Sequence, residues 1–480
     1  MIKKILIFIF IIISLYVSLN YIGNKTIYYF FCATSLFYLL YMFRKKSIFF
    51  DQFIGLFLFF GLWFNFSLKI KLKNLFPNGF GDFKYWFSDG VGSFNFSSGS
   101  IDKVLIICII SFLAISISSF IREKFFFYKD NKISNLEKKF YIKKRIQILI
   151  SFAILILILS LINFSFKIYQ RGIVNDFGFI INSSFTFIFF ILLPSITAII
   201  INYEFHTSKS LLITIIISIY ESFLNSFSIL SRNFIFNPLS NILGLYKLNK
   251  SNMKFNFKIF YIFFVFIIIF FMISVIFVSK QRDEFVIKNF QEESIKLNSS
   301  QKQNNTLIQK SSERLLKIFI SRLIGVEGVM AVSSSDKLSF NLFFSALNER
   351  FVRGENSFYD KFKNEQRTTI KCDNKNSPRN DCKINSISLM GIVAFLFYTG
   401  SYIFLFFALI AVCLICSLIE TLAYKLSDNM VFAAFIAQVL AYRLWHFGYI
   451  PSSSYKLLLS ICFIVFLIYL YRKLLSKIQI

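Results

Sequence analysis

Long apolar runs limit what this chain can fold into. Runs of about 18 or more apolar residues, each able to cross a hydrocarbon core of about 30 Å as a helix, recur from one end of the sequence to the other. They place candidate spans at 5–22, 27–43, 48–68, 104–121, 146–166, 185–202, 210–230, 259–279, 401–423, 429–447 and 455–471. The chain is 56% hydrophobic over 480 residues, above the roughly 45–50% of soluble domains, so a large soluble core is excluded. The expected fold is all-α: a polytopic transmembrane helical bundle of about 11–12 spans with one large helical extracytoplasmic loop. The N-terminal run has no small-x-small site after it and reads as an uncleaved first helix.

The net charge of +28 does not point to nucleic acid. Its basic residues cluster in short segments beside the apolar runs, which is the pattern that orients membrane helices. Lys3 and Lys4, then Arg44, Lys45 and Lys46, then the basic stretch 122–145, and finally Arg472, Lys473 and Lys477 fall on one side, predicted to be cytoplasmic. Both termini are expected inside, in a bacterial inner (cytoplasmic) membrane. Eleven spans cannot satisfy this, so 231–248 is assigned a further crossing or re-entry. It is short and polar, and Asn237-Pro238 is expected to interrupt its helical hydrogen bonding; irregular backbone at membrane depth must be covered by protein or water.

Three regions follow: 1–280, N-terminal transmembrane helices with the irregular segment 231–248; 281–387, a large periplasmic loop with amphipathic helices; and 388–480, C-terminal helices with a re-entrant segment at 388–400. Within the loop, 307–324 has the spacing of a helix lying on or near the bilayer. Ser335 or Asp336 is expected to cap a second helix over about 337–352. The stretch 71–103, with Tyr85, Trp86, Asp82, Asp89 and Asp102, reads as a turn-rich interfacial surface. Sixty-eight phenylalanines fit a lipid-facing composition and carry no function of their own.

Of the seven cysteines, Cys32, Cys108, Cys413, Cys416 and Cys462 lie in apolar spans and read as packing residues. Cys372 and Cys382 flank a polar tip in the long loop and are a disulfide candidate if that loop is extracytoplasmic. No Walker loop, dinucleotide-binding fingerprint or G-x-S-x-G is present, no metal-ligand cluster is seen, and no cofactor is expected.

The predicted outer side collects Arg232, Arg322, Arg350, Arg353 and Arg443, with Glu327 and His446 among them. Arginine suits bidentate binding of phosphate oxygens, and a carboxylate or imidazole can take a proton from an attacking hydroxyl. The set suits a lipid pyrophosphate: the five arginines hold the leaving group and Glu327 or His446 activates a sugar hydroxyl. Ordinary structural roles compete with this reading. Arg443, Trp445 and His446 also make a snorkelling interfacial anchor, and mid-span Glu221, with Asn225 one turn on and Arg232 at the outer end of its helix, reads as a structural ion pair or helix-to-helix bond, with cavity lining as the alternative.

About a dozen helices around one late loop bearing Arg314, Arg322, Arg350 and Arg353 resemble the bacterial oligosaccharide repeat-unit (O-antigen) polymerases and their O-antigen ligase relatives. The resemblance lies in architecture. It implies a metal-independent, GT-C-like membrane glycosyltransferase acting at the periplasmic face on undecaprenyl-pyrophosphate-linked glycan, with membrane lipid and a chain-length regulator or other polysaccharide-assembly proteins as partners and no nucleic acid. It implies that Arg322 and Arg443, then Arg232, contact the lipid-linked donor. The acid/base roles of Glu327 and His446 are not part of it. A transporter or flippase of lipid-linked glycans is the alternative, and a lipid-linked acyl transferase using His446 as base is a third.

Overall fold

The structure is a computed structural model. It describes residues 2–75, 94–125, 135–170, 177–208, 211–231, 235–248, 265–281 apart from 268, 271, 275 and 279, 325–348, 391–445, 447 and 451–477. In chain order the helices are α1 (Ile2–Ser18), α2 (Lys25–Met42), α3 (Phe49–Leu75, with a π-helical turn at Phe59–Phe64), α4 (Ser98–Glu123), α5 (Asn135–Phe166), α6 (Phe179–Phe187, a π-helical turn at Ile188–Leu192, then Leu193–Ser208), α7 (Leu211–Ile229), α8 (Phe236–Leu248), α9 (Val265–Val278), α10 (Val326–Ser333), α11 (Phe340–Leu347), α12 (Gly391–Leu396), α13 (Tyr402–Ser427), α14 (Met430–Trp445) and α15 (Pro451–Lys477). Every regular element among the described residues is helical.

Seven of these helices are long and apolar enough to cross a membrane, and α1, α9 and α14 contain shorter apolar helices. The outward faces agree. Along α5, Ile146, Ile150, Ile154 and Leu161 are all exposed, an apolar stripe that water would not tolerate and lipid does. This is a multi-pass membrane protein built as a helical bundle.

The chain packs into two compact units. Unit 1 is Met1–Phe127, Lys317–Ile419 and Val439–Leu458; unit 2 is Tyr128–Leu316, Glu420–Gln438 and Leu459–Ile480. These boundaries cut across the three regions read from the sequence, and α13, α14 and α15 each give residues to both units.

In unit 1, α2 runs along α4. Phe112 meets Phe31 and Tyr38 with ring centroids 6.2 and 4.6 Å apart. The buried phenols are satisfied: Tyr28 donates to the Ser14 carbonyl at 3.1 Å and Tyr38 to the Ile54 carbonyl at 3.0 Å. At the Phe49 end of α3, Asp51 pairs with Arg122 of α4, and both are buried. Arg122 also donates to Ser119 Oγ at 3.2 Å and to the Lys46 carbonyl at 3.3 Å. Beside them Arg44 donates to Glu123 Oε2 at 3.0 Å.

In unit 2, α7 packs on α5, α6 and α8. Phe152, Ile156, Phe189, Leu193, Ile200 and Ile229 form its apolar core. Polar side chains cross-link the helices: Asn163 donates to Ser228 Oγ at 2.8 Å, and Glu204 accepts from Tyr141 at 2.9 Å and from Arg145 at 2.6 Å.

Two local expectations are corrected. Pro238 does not break the 231–248 segment, because it sits in the first turn of α8, where its missing N–H has no intrahelical partner to lose. The helix after the Ser333–Asp336 stretch is capped not by Ser335 or Asp336 but by Ser339, whose side chain accepts from Leu342 N at 3.1 Å. Ser335 instead accepts from Lys337 N within the turn before it. The segment 307–324, together with Tyr85, Trp86, Asp82 and Asp89, lies outside the described residues.

Candidate functional site

α10 is a one-piece helix of 8 residues enclosed in unit 1. It packs against α4, α12 and the π-helical turn of α3. Val326, Val329, Met330, Ala331 and Val332 are at most 1% exposed, so this part of the long loop is core, not surface. Backbone contact explains how it fits. Gly325, at φ +151°, lies against Gly61 of the π-helical turn, where a Cβ would come within 3.0 Å of the Gly61 backbone. Gly391, at φ +78°, opens α12 against the Trp445 carbonyl, where a Cβ would come within 2.8 Å. Both φ values lie where residues with a Cβ are strained.

The α12 segment and the 3₁₀ turn at Phe397–Thr399 are buried throughout. The Ser339 N–H donates to the Tyr398 carbonyl at 2.9 Å, and Phe343 of α11 packs on Phe395 at 5.6 Å. The two non-spanning pieces, 325–347 and 391–399, thus fold together inside unit 1.

Glu327 stands in the first turn of α10, where the helix dipole favours a carboxylate. Its Oε1 lies 3.4 Å from Lys69 Nζ, and the Lys69 side chain is only 3% exposed. Glu327 Oε2 is buried and accepts no hydrogen bond among the described residues. At the far end of α10, Lys103 of α4 donates to the Ser333 carbonyl at 2.8 Å, filling one of the orphan acceptors of a helix C-terminus. A short buried helix is therefore held at both ends by lysines from spanning helices.

Those lysines were not among the residues singled out from the sequence. The apolar run in α3 stops near 68, so Lys69, Lys71 and Lys73 read as loop. The helix continues to Leu75 and turns the three in different directions: Lys69 to Glu327, Lys71 over the Tyr16 ring at 3.6 Å, and Lys73 toward the Phe96 carbonyl at 3.4 Å. Likewise α4 begins at Ser98, which puts Asp102 and Lys103 on a helix. Asp102 accepts from the Tyr21 hydroxyl and from Asn24 N at 3.0 Å, a structural tie. Burial, reinforced by this carboxylate, pushes the Tyr21 phenol well above its ordinary range.

Arg443 lies near the end of α14, in unit 1, and its Nε donates to Ser454 Oγ at 3.0 Å. Two residues on, Trp445 stacks on Phe57 of α3 with centroids 4.8 Å apart and planes 4° apart, and its carbonyl meets Gly391. The structure therefore brings the α10 helix of Glu327, the short buried α12 and the α14 end bearing Arg443 into one packed junction. Phe57 is some 12 Å along α3 from Phe49, and Lys69 about 18 Å further on, at 1.5 Å per residue. Arg232, Arg322, Arg350, Arg353 and His446 lie outside the described residues, as do Cys372 and Cys382. The five described cysteines are unbridged. No group of three or more His, Cys, Asp or Glu arranged for a metal occurs among the described residues.

In unit 2, Glu221 is fully buried near the middle of α7. Both its oxygens accept: Oε1 from Asn225 Nδ2 one turn on, and Oε2 from Ser222 Oγ at 3.0 Å. No ion pair reaches it among the described residues.

No family model, no curated protein and no solved structure matches this chain.

Proposed function

We propose that this protein is a membrane glycosyltransferase that polymerises or ligates lipid-pyrophosphate-linked oligosaccharide repeat units at the periplasmic face of the inner membrane. The observation that carries this reading is the enclosed α10 helix with Glu327 beside Lys69. Ionisable groups that deep are costly unless they serve a function or pair, and here a carboxylate retains one oxygen without a hydrogen-bond donor.

The positive-inside pattern puts Arg44, Lys45 and Lys46 in the cytoplasm. Lys69 is then about 30 Å along α3 from Phe49, at the outer boundary, where a lipid-linked pyrophosphate sits. Glu327 takes the proton of the acceptor sugar hydroxyl as it attacks the donor anomeric carbon, with His446 as the second candidate. The bond from that carbon to the pyrophosphate oxygen breaks, and the lipid pyrophosphate leaves. Arg443, with Arg232, Arg322, Arg350 and Arg353, neutralises the leaving group. Neither step calls for a cofactor. A chain-length regulator or other assembly protein is the expected partner, besides the undecaprenyl-linked substrate and membrane lipid.

In cells lacking the native copy, Glu327→Gln and Arg443→Ala at normal expression are expected to abolish long surface glycan and leave single repeats on the outside. General-base loss alone is worth about 10²–10⁴-fold in rate. Unchanged chain length in both variants sinks the reading. The alternative, a transporter or flippase of the same glycans, is favoured by one observation, the buried Glu221 of unit 2 with no countercharge among the described residues. It predicts that the single repeats accumulate inside.

A further inference from the structure

We propose that the interior of unit 2 is a membrane-embedded binding site for a small monovalent cation of sodium type, centred on Glu221. The argument begins with charge. A carboxylate within a membrane span is expensive unless a proton, a basic side chain or a bound cation neutralises it. No basic side chain pairs with Glu221 among the described residues. Asn225 Nδ2 lies against one oxygen and Ser222 Oγ against the other, contacts that an ionised carboxylate, which only accepts, can make alongside a bound cation.

The surroundings supply ligands. Asn225 Oδ1, Asn202 Oδ1, Asn241 Oδ1 and Gln438 Oε1, like Asn182 Oδ1 near the start of α6, are buried and accept no hydrogen bond among the described residues. Buried carbonyl oxygens are normally satisfied, so such acceptors in one unit with a buried carboxylate suit an occupant that accepts nothing and carries positive charge. Hard cations take carboxylate, amide carbonyl and hydroxyl oxygens. A single carboxylate matches a single positive charge, whereas a divalent ion would leave an excess charge.

α7 packs against α6 and α8, and α8 against α6. Asn241 Nδ2 donates to Ser218 Oγ of α7 at 2.8 Å, one turn before Glu221. Gly244 of α8 sits against Val431 and Ala434 of α14, and Gln438 is the next turn of that helix. Asn202 lies on α6, which packs along α7. The site is distinct from the α10 junction, and it rests on ion binding rather than on glycan transfer.

The test uses the purified full-length chain in detergent. Thermal unfolding is followed in sodium, potassium and choline chloride at equal ionic strength, with sodium binding measured by calorimetry. The wild type is expected to show saturable stabilisation by sodium over choline. Glu221→Gln removes it, and Asn241→Ala or Asn202→Ala weakens sodium binding at least tenfold. Sodium dependence that survives in Glu221→Gln overturns the location. A wild type indifferent to monovalent ions overturns the proposal. If Glu221→Gln does not fold, the two asparagine variants and the wild-type ion series decide the question.

Discussion

Asp51 in unit 1 and Glu221 in unit 2 are both enclosed carboxylates on spanning helices, yet their neutralisation differs. Asp51 meets a guanidinium from the next spanning helix, and that guanidinium is tied in turn to Ser119 and to the Lys46 carbonyl. Glu221 meets an amide and a hydroxyl from its own helix. Unit 1 repeats its solution with Lys69 and Glu327, while Glu204 at the end of α6 in unit 2 is paired by Arg145. Glu221 departs from this: no basic side chain pairs with it among the described residues. A buried ion pair completes itself and mainly specifies how helices meet; a buried carboxylate among acceptors is incomplete until something else arrives.

The largest effect that separates the two cases is expected at the completed pair. Arg122→Leu strands Asp51 and is expected to lower stability by about 3–5 kcal/mol, read as unfolding in detergent. Replacing both partners with apolar residues of similar volume should recover most of the loss. A double variant no better than the single would show that the cluster, not the pair, is the unit of stability. Glu327→Gln removes the carboxylate charge facing Lys69, and because the Glu327 side chain keeps 13% exposure its expected cost is lower than that of Arg122→Leu. Gly391→Ala forces a Cβ toward the Trp445 carbonyl at a left-handed φ, and about 1–3 kcal/mol is expected. Ser339→Ala removes the α11 cap at roughly 1 kcal/mol. The smallest change belongs to Glu221→Gln, which keeps both local hydrogen bonds with donor and acceptor exchanged at one of them. Its expected effect in choline chloride is below about 1 kcal/mol, and a loss as large as that of Arg122→Leu would erase the contrast between the units.

The bundle was legible because each spanning helix announces itself by hydropathy over its own residues. The helix at 231–248 was legible as an unusual segment, although Pro238 misled because its effect depends on where the helix starts. The α10 junction was not legible. Eight mostly small and apolar residues inside a polar stretch give no signal of burial, and the partner of Glu327 lies on a helix whose polar end reads as loop. Pairings such as Lys69 with Glu327 are set by the packing of α3 against α10, and one sequence does not encode them locally. Glu221 and Asn225 stood out because polar residues are rare in mid-span. Asn202, Asn241 and Gln438 did not, since each is unremarkable on its own helix and matters only with the others.

The tether between Lys103 and Ser333 also bears on how the protein is made. The two residues are 230 positions apart in the chain. At synthesis rates of about 5–20 residues per second, that separation amounts to roughly 10–50 s. Throughout that interval α3 and α4 are already emerging into the bilayer while their lysines lack the helix they will hold. α10 can be drawn in only after its neighbours have been made. The junction is thus a late event in biogenesis, during which a ribosome-bound intermediate shows the insertion machinery and the proteases of the membrane an unfilled slot.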